Sequence, residues 1–546
     1  MIDQRPRMVH QRIRAPQANG SVLVEPPLSC LTDAVRKNGQ QLSSQLGDFL
    51  FGKSLDELRQ QAKAELICLA RKYTRRYQPN VSDDSSSEPD PPLIVSGHQP
   101  ELFHPGVWFK NFLVNHFAVK TGGVGVHFLV DNDLCRQRAV RVPQERPSAH
   151  LVSVPFDRFG QAVPYEEATI QDRRIFEQFG AKVADTVQPM EHNPLVRTQA
   201  KLLNQASDGS ENIGQIFSQF RHAIEGTFGL SNLEVPLSHI ADSDPFRMFL
   251  WHLLQQAALF RDHFNGTLAE YRRVNRIRNA AQPIPDLAVN GDWIETPFWI
   301  WRSDEPVRRP LLVRLQGTDI QLGTDGTSWA TISAGSIEAV VDQFRQLRNQ
   351  GIKIRTRAIT TTLFVRLFLA DIFVHGIGGA KYDQITDCLM ESFFRISPPA
   401  FVTATATMRL MSDDPADWDQ QIRHGRQRLR QAQYQPETLL SPDVLQQDQV
   451  SSACSSKREW IDRNLLSPQQ TSGFPQSRKA GHDAIVQVNR FLSGFLDAFI
   501  RDEQEALDAA ILAKKRRAVL GSREFSFILF SEKAIRGTMF DALRRG

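Results

Sequence analysis

Cysteine is scarce in this 546-residue sequence, and the five present (Cys30, Cys68, Cys135, Cys388 and Cys454) form no CxxC pair. An odd number without paired spacing excludes a disulfide framework and a cysteine-based zinc site, and it points to a reducing compartment. Net charge is also small: 65 Lys and Arg stand against 61 Asp and Glu, giving +4. That balance offers no electrostatic reason to bind nucleic acid. The basic run KKRRAVLGSR (514–523) reads as a solvated helix face. Long apolar runs are missing too. The most apolar window, 361–379, is interrupted by Arg366 and Asp371 and ends in glycines, so it reads as a buried core element rather than a membrane span. The first residues, MIDQRPRMVHQRIRAP, lack the apolar stretch of a secretory signal. The expectation is a cytoplasmic protein acting on a small molecule, with neither membrane nor nucleic acid as partner.

The chain is long enough for several units at roughly 150 residues per domain. Leu55, Leu58, Ala62, Leu66 and Leu69 recur at helical spacing within 52–77. The acidic Ser/Pro-rich stretch 78–92 reads as a flexible linker, so 1–92 is taken as an N-terminal helical segment plus linker. Residues 93–410 read as an α/β core with an insertion at about 150–350, helical first and then built of antiparallel strands. A long helix over 244–281 is expected to break near Asn265-Gly266, and a helix over 336–351 to stop at Gly351. The window 353–396 reads as an extended start, an apolar helix, a glycine turn and a helix from about Lys381. The β-branched run at 399–410 reads as a strand. Residues 440–480 are rich in Ser, Gln and Pro and read as partly loose. Residues 484–516 show three-four apolar spacing, so 411–520 is expected to hold a helical hairpin or coiled coil through which two copies would pair. Residues 521–546 return to the core as a strand-like run and a last helix.

The chemistry is expected where LIVSG (93–97), a helix over 106–120 and GVHFLVDND (125–133) make a strand–helix–strand unit. Such units form parallel sheets, and ligands bind beyond the carboxyl ends of their strands. Gly97-His98-Gln99 and Asp131-Asn132-Asp133 both lie at such ends, so they are expected to face one crevice. Gly97 lets the backbone approach a ligand. His98 is a candidate acid, base or oxyanion donor near neutral pH, and Gln99 both donates and accepts. Asp131 and Asp133 are candidates for binding hydroxyls, an amino group or a metal, against the plainer role of capping a turn. Gly376, Gly378 and Gly379 before a helix suggest an anion cradle, with Lys381 and Lys110 balancing negative charge. The run does not meet the GxGxxG dinucleotide fingerprint, so simple close packing is the competing explanation. The aromatic run ETPFWIWR (295–302) and His252 read as core. Cys135 reads as an ordinary thiol.

In this order, the pieces resemble the bacillithiol-biosynthesis cysteine-adding enzymes, the BshC family. The likeness rests on Ser96-Gly97-His98-Gln99, on Lys110 in the next helix, and on Val130-Asp131-Asn132-Asp133. It continues through Arg357, Gly378-Gly379 and PAFVTATATMRL to Arg523 and Glu524 in SREFSFILF. The family carries glutamine where this chain has His98 and histidine where it has Asn132. The resemblance implies a Rossmann-like core related to nucleotidyl transferases, with helical insertions and a dimerising coiled coil. It implies a ligase-like enzyme that joins an amino acid, cysteine in that family, to a small sugar-derived acceptor. In that superfamily a histidine-bearing corner contacts nucleotide phosphate or stabilises a transition state, which is the role implied for His98. Two other readings stand beside it. One is a nucleotidyl or adenylyl transferase using ATP and magnesium, with Asp131 and Asp133 on the metal. The other is a non-catalytic dimeric scaffold with a decayed pocket.

Overall fold

The computed structural model describes residues 8–10, 12–44, 49–79, 90–145, 148–411, 416–465 and 475–544. Most of the expected linker, residues 80–89, lies outside them. The strands are β1 (Val22–Glu25), β2 (Leu93–His98), β3 (Val124–Leu129), β4 (Ala139–Gln144), β5 (His150–Pro155), β6 (Leu233–Pro236) and β7 (Val289–Asn290). They continue with β8 (Trp293–Arg302), β9 (Arg309–Gln316), β10 (Asp319–Thr324), β11 (Thr327–Ile332), β12 (Ile352–Thr356), β13 (Ile372–His375) and β14 (Phe401–Ala406).

The central sheet has the order β1-β14-β13-β2-β3-β6. β1 pairs antiparallel with β14, and every other neighbouring pair is parallel. Taken by occurrence, the parallel strands lie in the order 5-4-1-2-3, so chain order reverses between β2 and β13. Alternate residues feed opposite faces. Leu93, Val95, Val126, Phe128 and Phe373 enter one hydrophobic cluster, while Ile94, Ile372 and Val374 enter the other. Burial on both faces is why LIVSG carries no polar alternation.

The first face is covered by the helix Leu55–Thr74, started by a capping box of Ser54 and Glu57. Its Leu55, Leu58, Ala62 and Leu66 pack into the core, so the segment before the linker belongs to this sheet's own layer. The other face is covered by the helix Pro105–Thr121 through Phe109, Phe112, Leu113 and Phe117, and by the closing helix Glu532–Arg544 through Ile535 and Met539. A second sheet, antiparallel in the order β11-β10-β9-β8-β12, packs its Phe298, Ile300, Val313 and Leu322 into the first cluster. Residues 145–150 and 412–522 form a separate compact unit. Among the described residues no helix is long and apolar enough to cross a membrane.

Several expectations are corrected. The break in 244–281 falls at Gln256, between Asp244–Gln255 and Ala257–Val274, and Gly266 stays inside the second helix. A helical glycine costs only about 1 kcal/mol, less than the buried Phe264 and Leu268 beside it return. The apolar window 361–379 is not one helix. Helix Ala358–Phe364 widens into a π turn at Val365–Leu369 and the chain then becomes β13. Periodicity cannot separate a buried strand from a buried helix when both are continuously apolar. The helix expected from Lys381 begins earlier, at Ile377, with Gly376 as its cap. SREFSFILF forms a tight 3-10 turn at Phe527–Leu529, not a strand. Residues 448–465 and 475–493 are helical, although 466–474 lie outside the described residues. The 484–516 stretch does not fold back on itself. A 3-10 turn at Gly494–Leu496 joins its two helices, and the second packs Leu507 and Ala510 against Ile422 of Trp418–Tyr434. β1, β6, the β4–β5 pair and β11 were not expected. All are short, and β6 lies within a long helical region.

The bottom of the sheet is tied by Asp371, just ahead of β13. Its carboxylate accepts from the Leu93 backbone N–H at 2.7 Å and from Arg59 at 2.8 Å, and it lies 3.1 Å from the Lys63 ammonium. All three side chains are buried. Asn38 donates to the Asp371 carbonyl at 2.8 Å. One carboxylate therefore joins β2, β13 and the Leu55–Thr74 helix. Asp371→Ala leaves the buried Arg59 without its carboxylate and the Leu93 N–H without its acceptor, while Lys63 keeps Asp90 at 2.6 Å, and we expect it to destabilise the fold by about 3–5 kcal/mol in equilibrium denaturation. A loss under about 1 kcal/mol would mean that Arg59 relaxes into water.

Candidate functional site

At the carboxyl ends of β2 and β13, where the order reverses, adjoining elements enclose a cleft of about 850 Å³. Strands of a parallel sheet end together there, and their connections leave in opposite directions, which opens a crevice. The walls include Gly97, His98, Gln99 and Lys110 from β2 and its helix, and Gly376, Gly378, Gly379 and Lys381 from β13 and the next helix. Two sequence segments nearly 280 residues apart thus meet in one site.

The polar residues after β3 go elsewhere. Asp131 is buried and accepts from the Ser238 backbone at 2.9 Å and its hydroxyl at 2.5 Å. Burial, with Glu166 nearby, pushes its carboxyl up to about 7. Asn132 donates to the Thr356 carbonyl at 2.8 Å, tying β3 to the second sheet. Neither lines the cleft, which corrects the expectation that the whole triplet faces it. Their short polar side chains are consumed by neighbouring turns and strands, an outcome that spacing cannot distinguish from ligand binding. Asp133 stands at the margin. It accepts from Gln99 Nε2 at 2.9 Å and from Arg308 at 3.0 Å. Burial opposes its charge, but the bonds from Gln99 and Leu134 and the charge of Arg308 hold the carboxyl below its usual range. Gln99 is thereby oriented by Asp133. Among the described residues no group of three or more His, Cys, Asp or Glu is placed to hold a metal ion.

The titration of the cleft differs from the expectation for His98. Burial and then the charge of Lys110 push the His98 imidazole down to about 3. At neutral pH it is therefore an uncharged hydrogen-bonding ring, packed edge-on to Phe103 at 5.1 Å, and not an imidazolium acid. Lys110 is the group poised near neutrality. Its ammonium donates to the Gly97 carbonyl at 2.7 Å, and burial with Arg221 nearby brings it down to about 7. Functional groups with such displaced titration concentrate at sites.

The glycines divide into two kinds. Gly376 and Gly378 have ordinary negative-φ backbone, and a Cβ at either would meet nothing within 4 Å. Neither packing nor conformation requires them, and what they provide is an open wall. Gly379 is tight, because a Cβ there would lie 2.7 Å from His375 Nδ1.

Residues beyond those singled out in the sequence complete the lining. His104 caps the Pro105–Thr121 helix, accepting from the Gly106 N–H at 3.1 Å, and burial pushes its ring down to about 4 against the pull of Glu524. The His-Pro pair at a helix start was a legible signal for this cap. Arg523 reaches back from the chain's end to donate to Thr405 at 2.7 Å and to the Ala406 carbonyl at 3.0 Å. With Arg14, Lys110 and Lys381 it makes the lining predominantly cationic, opposed by Glu524. His375 ends β13 itself, hidden in the sequence inside a run read as helix.

No protein-family model matches the chain, and no curated protein matches it.

Lys110 supplies a pH test. A lysine whose folded value is depressed costs stability fully below about pH 7, and the cost fades as pH rises toward 10 and the unfolded chain also loses its proton. We expect Lys110→Met to be more stable than the parent at pH 6 by on the order of 3 kcal/mol, the gain shrinking steadily between pH 7 and 10. A pH-independent difference in denaturation midpoints would assign Lys110 an ordinary, solvated ammonium.

Proposed function

We propose that this chain is a ligase-like group-transfer enzyme of the BshC kind, which joins an amino acid, cysteine by resemblance, to a small sugar-derived acceptor. The observation that carries the reading is the convergence of Gly97-His98-Gln99, Lys110, Gly376–Gly379 and Lys381 on one cation-lined cleft at the switch point. The parallel order 5-4-1-2-3 is, read from its other edge, the order of half a dinucleotide-binding sheet plus its next strands, which supports a Rossmann-like core of the nucleotidyl-transferase type. In this reading the cations hold the negative charge of an anionic donor or nucleotide. His98, neutral and with the N–H of Nδ1 toward the Gln99 carbonyl at 3.3 Å, offers the lone pair of Nε2 as a hydrogen-bond acceptor that orients a protic group of the substrate, while Gln99, set by Asp133, positions the acceptor. The C-terminal helical unit, 412–522, is where a second copy would pair.

The nucleotidyl-transferase alternative shares the cleft but assigned Asp131 and Asp133 to a metal. Their carboxylates are engaged by Ser238 and by Gln99 with Arg308, so the first reading is favoured.

A comparison of low-molecular-weight thiols in cells with and without the gene tests the function. We expect one amino-acid–sugar thiol to vanish on deletion and its precursor to accumulate. His98→Ala should retain the fold and lose about tenfold in transfer rate, the consequence of losing one positioning hydrogen bond of about 1.4 kcal/mol. An unchanged thiol profile sinks the assignment. The nucleotide part is read separately: ATP at a hundred times its Kd should raise stability by about 2.7 kcal/mol in thermal unfolding.

A further inference from the structure

Beside the cleft lies a buried chain of three side chains that the proposed function does not use. His375 Nε2 is 2.9 Å from Asp383 Oδ2, and the same oxygen accepts from Arg366 Nη1 at 2.5 Å. Arg366 is itself fixed by the Pro399 carbonyl at 2.5 Å and by Asp387 at 2.7 Å. His375, Asp383 and Arg366 are 4 %, 0 % and 1 % exposed, so water does not compete for these bonds. The imidazole is clamped between Phe373, 4.4 Å away, and the edge-on Phe401 at 5.0 Å. Burial works against the Asp383 charge, but His375 and Arg366 outweigh it and keep the carboxylate ionised. An ionised Asp383 accepts, so Nε2 carries a proton, and in the neutral form of the ring the lone pair is on Nδ1.

Nδ1 has no hydrogen-bond partner among the described residues, and unlike Arg366 Nε and Asp383 Oδ1, which also lack one but are buried, it belongs to a residue that lines the cleft. It faces Gly379, and both residues line the cleft. A side chain at 379 would cap this nitrogen, which explains why a glycine stands there inside a helix. Gly376 and Gly378 leave the approach open. A histidine with a merely structural role would have both nitrogens satisfied or the free one packed away.

We infer that Arg366, Asp383 and His375 form a proton-accepting relay, with His375 Nδ1 as the base that activates a protic nucleophile bound in the cleft. The inference rests on the proposed group transfer and adds its missing base. A hydroxyl, amine or thiol of the acceptor gives its proton to Nδ1. The electron pair left on that atom forms the new bond to the carbonyl or phosphoryl centre of an activated acyl or phosphoryl donor. The leaving group departs with the electrons of the broken bond and takes the proton back from the imidazolium. Asp383 stabilises the imidazolium while it exists, and Arg366 keeps Asp383 in place, as an orienting carboxylate does for a catalytic histidine elsewhere.

Diethyl pyrocarbonate, which acylates accessible unprotonated imidazole nitrogens, tests the geometry without a known substrate. Tryptic peptide 367–381, LFLADIFVHGIGGAK, contains a single histidine, so mass spectrometry reads His375 directly. We expect His375 to be acylated in the folded full-length protein and the rate to fall several-fold in Gly379→Ala, whose Cβ would crowd Nδ1 at 2.7 Å and cover it. An unreactive His375 in the folded wild type, or equal rates in the two proteins, overturns the inference. In the thiol assay, His375→Gln should abolish adduct formation while ATP-dependent thermal stabilisation persists. Full adduct formation by that variant removes His375 from the chemistry. A wild type that forms no adduct refutes the proposed function, and the labelling result still decides whether His375 is an open base.

Discussion

The structure depends on the parallel pairing of β2 with β13, two short strands nearly 280 residues apart in the chain. Backbone groups buried on both faces must find partners, and each strand supplies those of the other. Asp371 adds a charged clasp at one end of this pair by accepting the Leu93 N–H and two buried cations. At the other end the two connections diverge, and nothing in the sheet fills the space between them. The same pairing therefore produces both the centre of the core and the emptiness above it.

That arrangement also sets the electrostatics. Lys110 lies where a helix from β2 meets the sheet, so among the described residues its ammonium reaches only the Gly97 carbonyl and is otherwise enclosed. His98 and His104 sit above it, and burial with surrounding positive charge keeps both rings neutral. By contrast, charges that hold elements together are compensated. Arg221 has Glu225 and Glu234, and Arg355 has Glu166 and Asp242. Buried ions with partners serve the fold, whereas Lys110, which has no carboxylate partner among the described residues, lines the cleft.

Much of the frame was legible from residue patterns. The Gly-His-Gln corner, the helix after it and the second strand were read correctly because glycine punctuation and apolar runs report local structure faithfully. Asp131-Asn132-Asp133 was less transparent. Three polar residues after a strand look alike in sequence, yet only Asp133 reaches the cleft's margin, through Gln99. His375 was hidden because a buried strand following a buried helix has no change of periodicity to mark it. The partner Asp383 lies eight positions on, across a glycine turn whose direction no pattern specifies.

The sequence by itself determined the α/β rhythm, the glycine-bounded strand ends and the residue types available for chemistry, because these follow from local backbone preference and hydrophobic period. Which strand ends would adjoin was decided only by tertiary structure. Strand order depends on burial summed over both faces of the sheet, and that sum brought Gly97-His98 beside His375–Gly379 and turned Asp131 and Asn132 away. The protonation of His98 and Lys110 was decided there too, since desolvation and neighbouring charge exist only once the chain has closed around them.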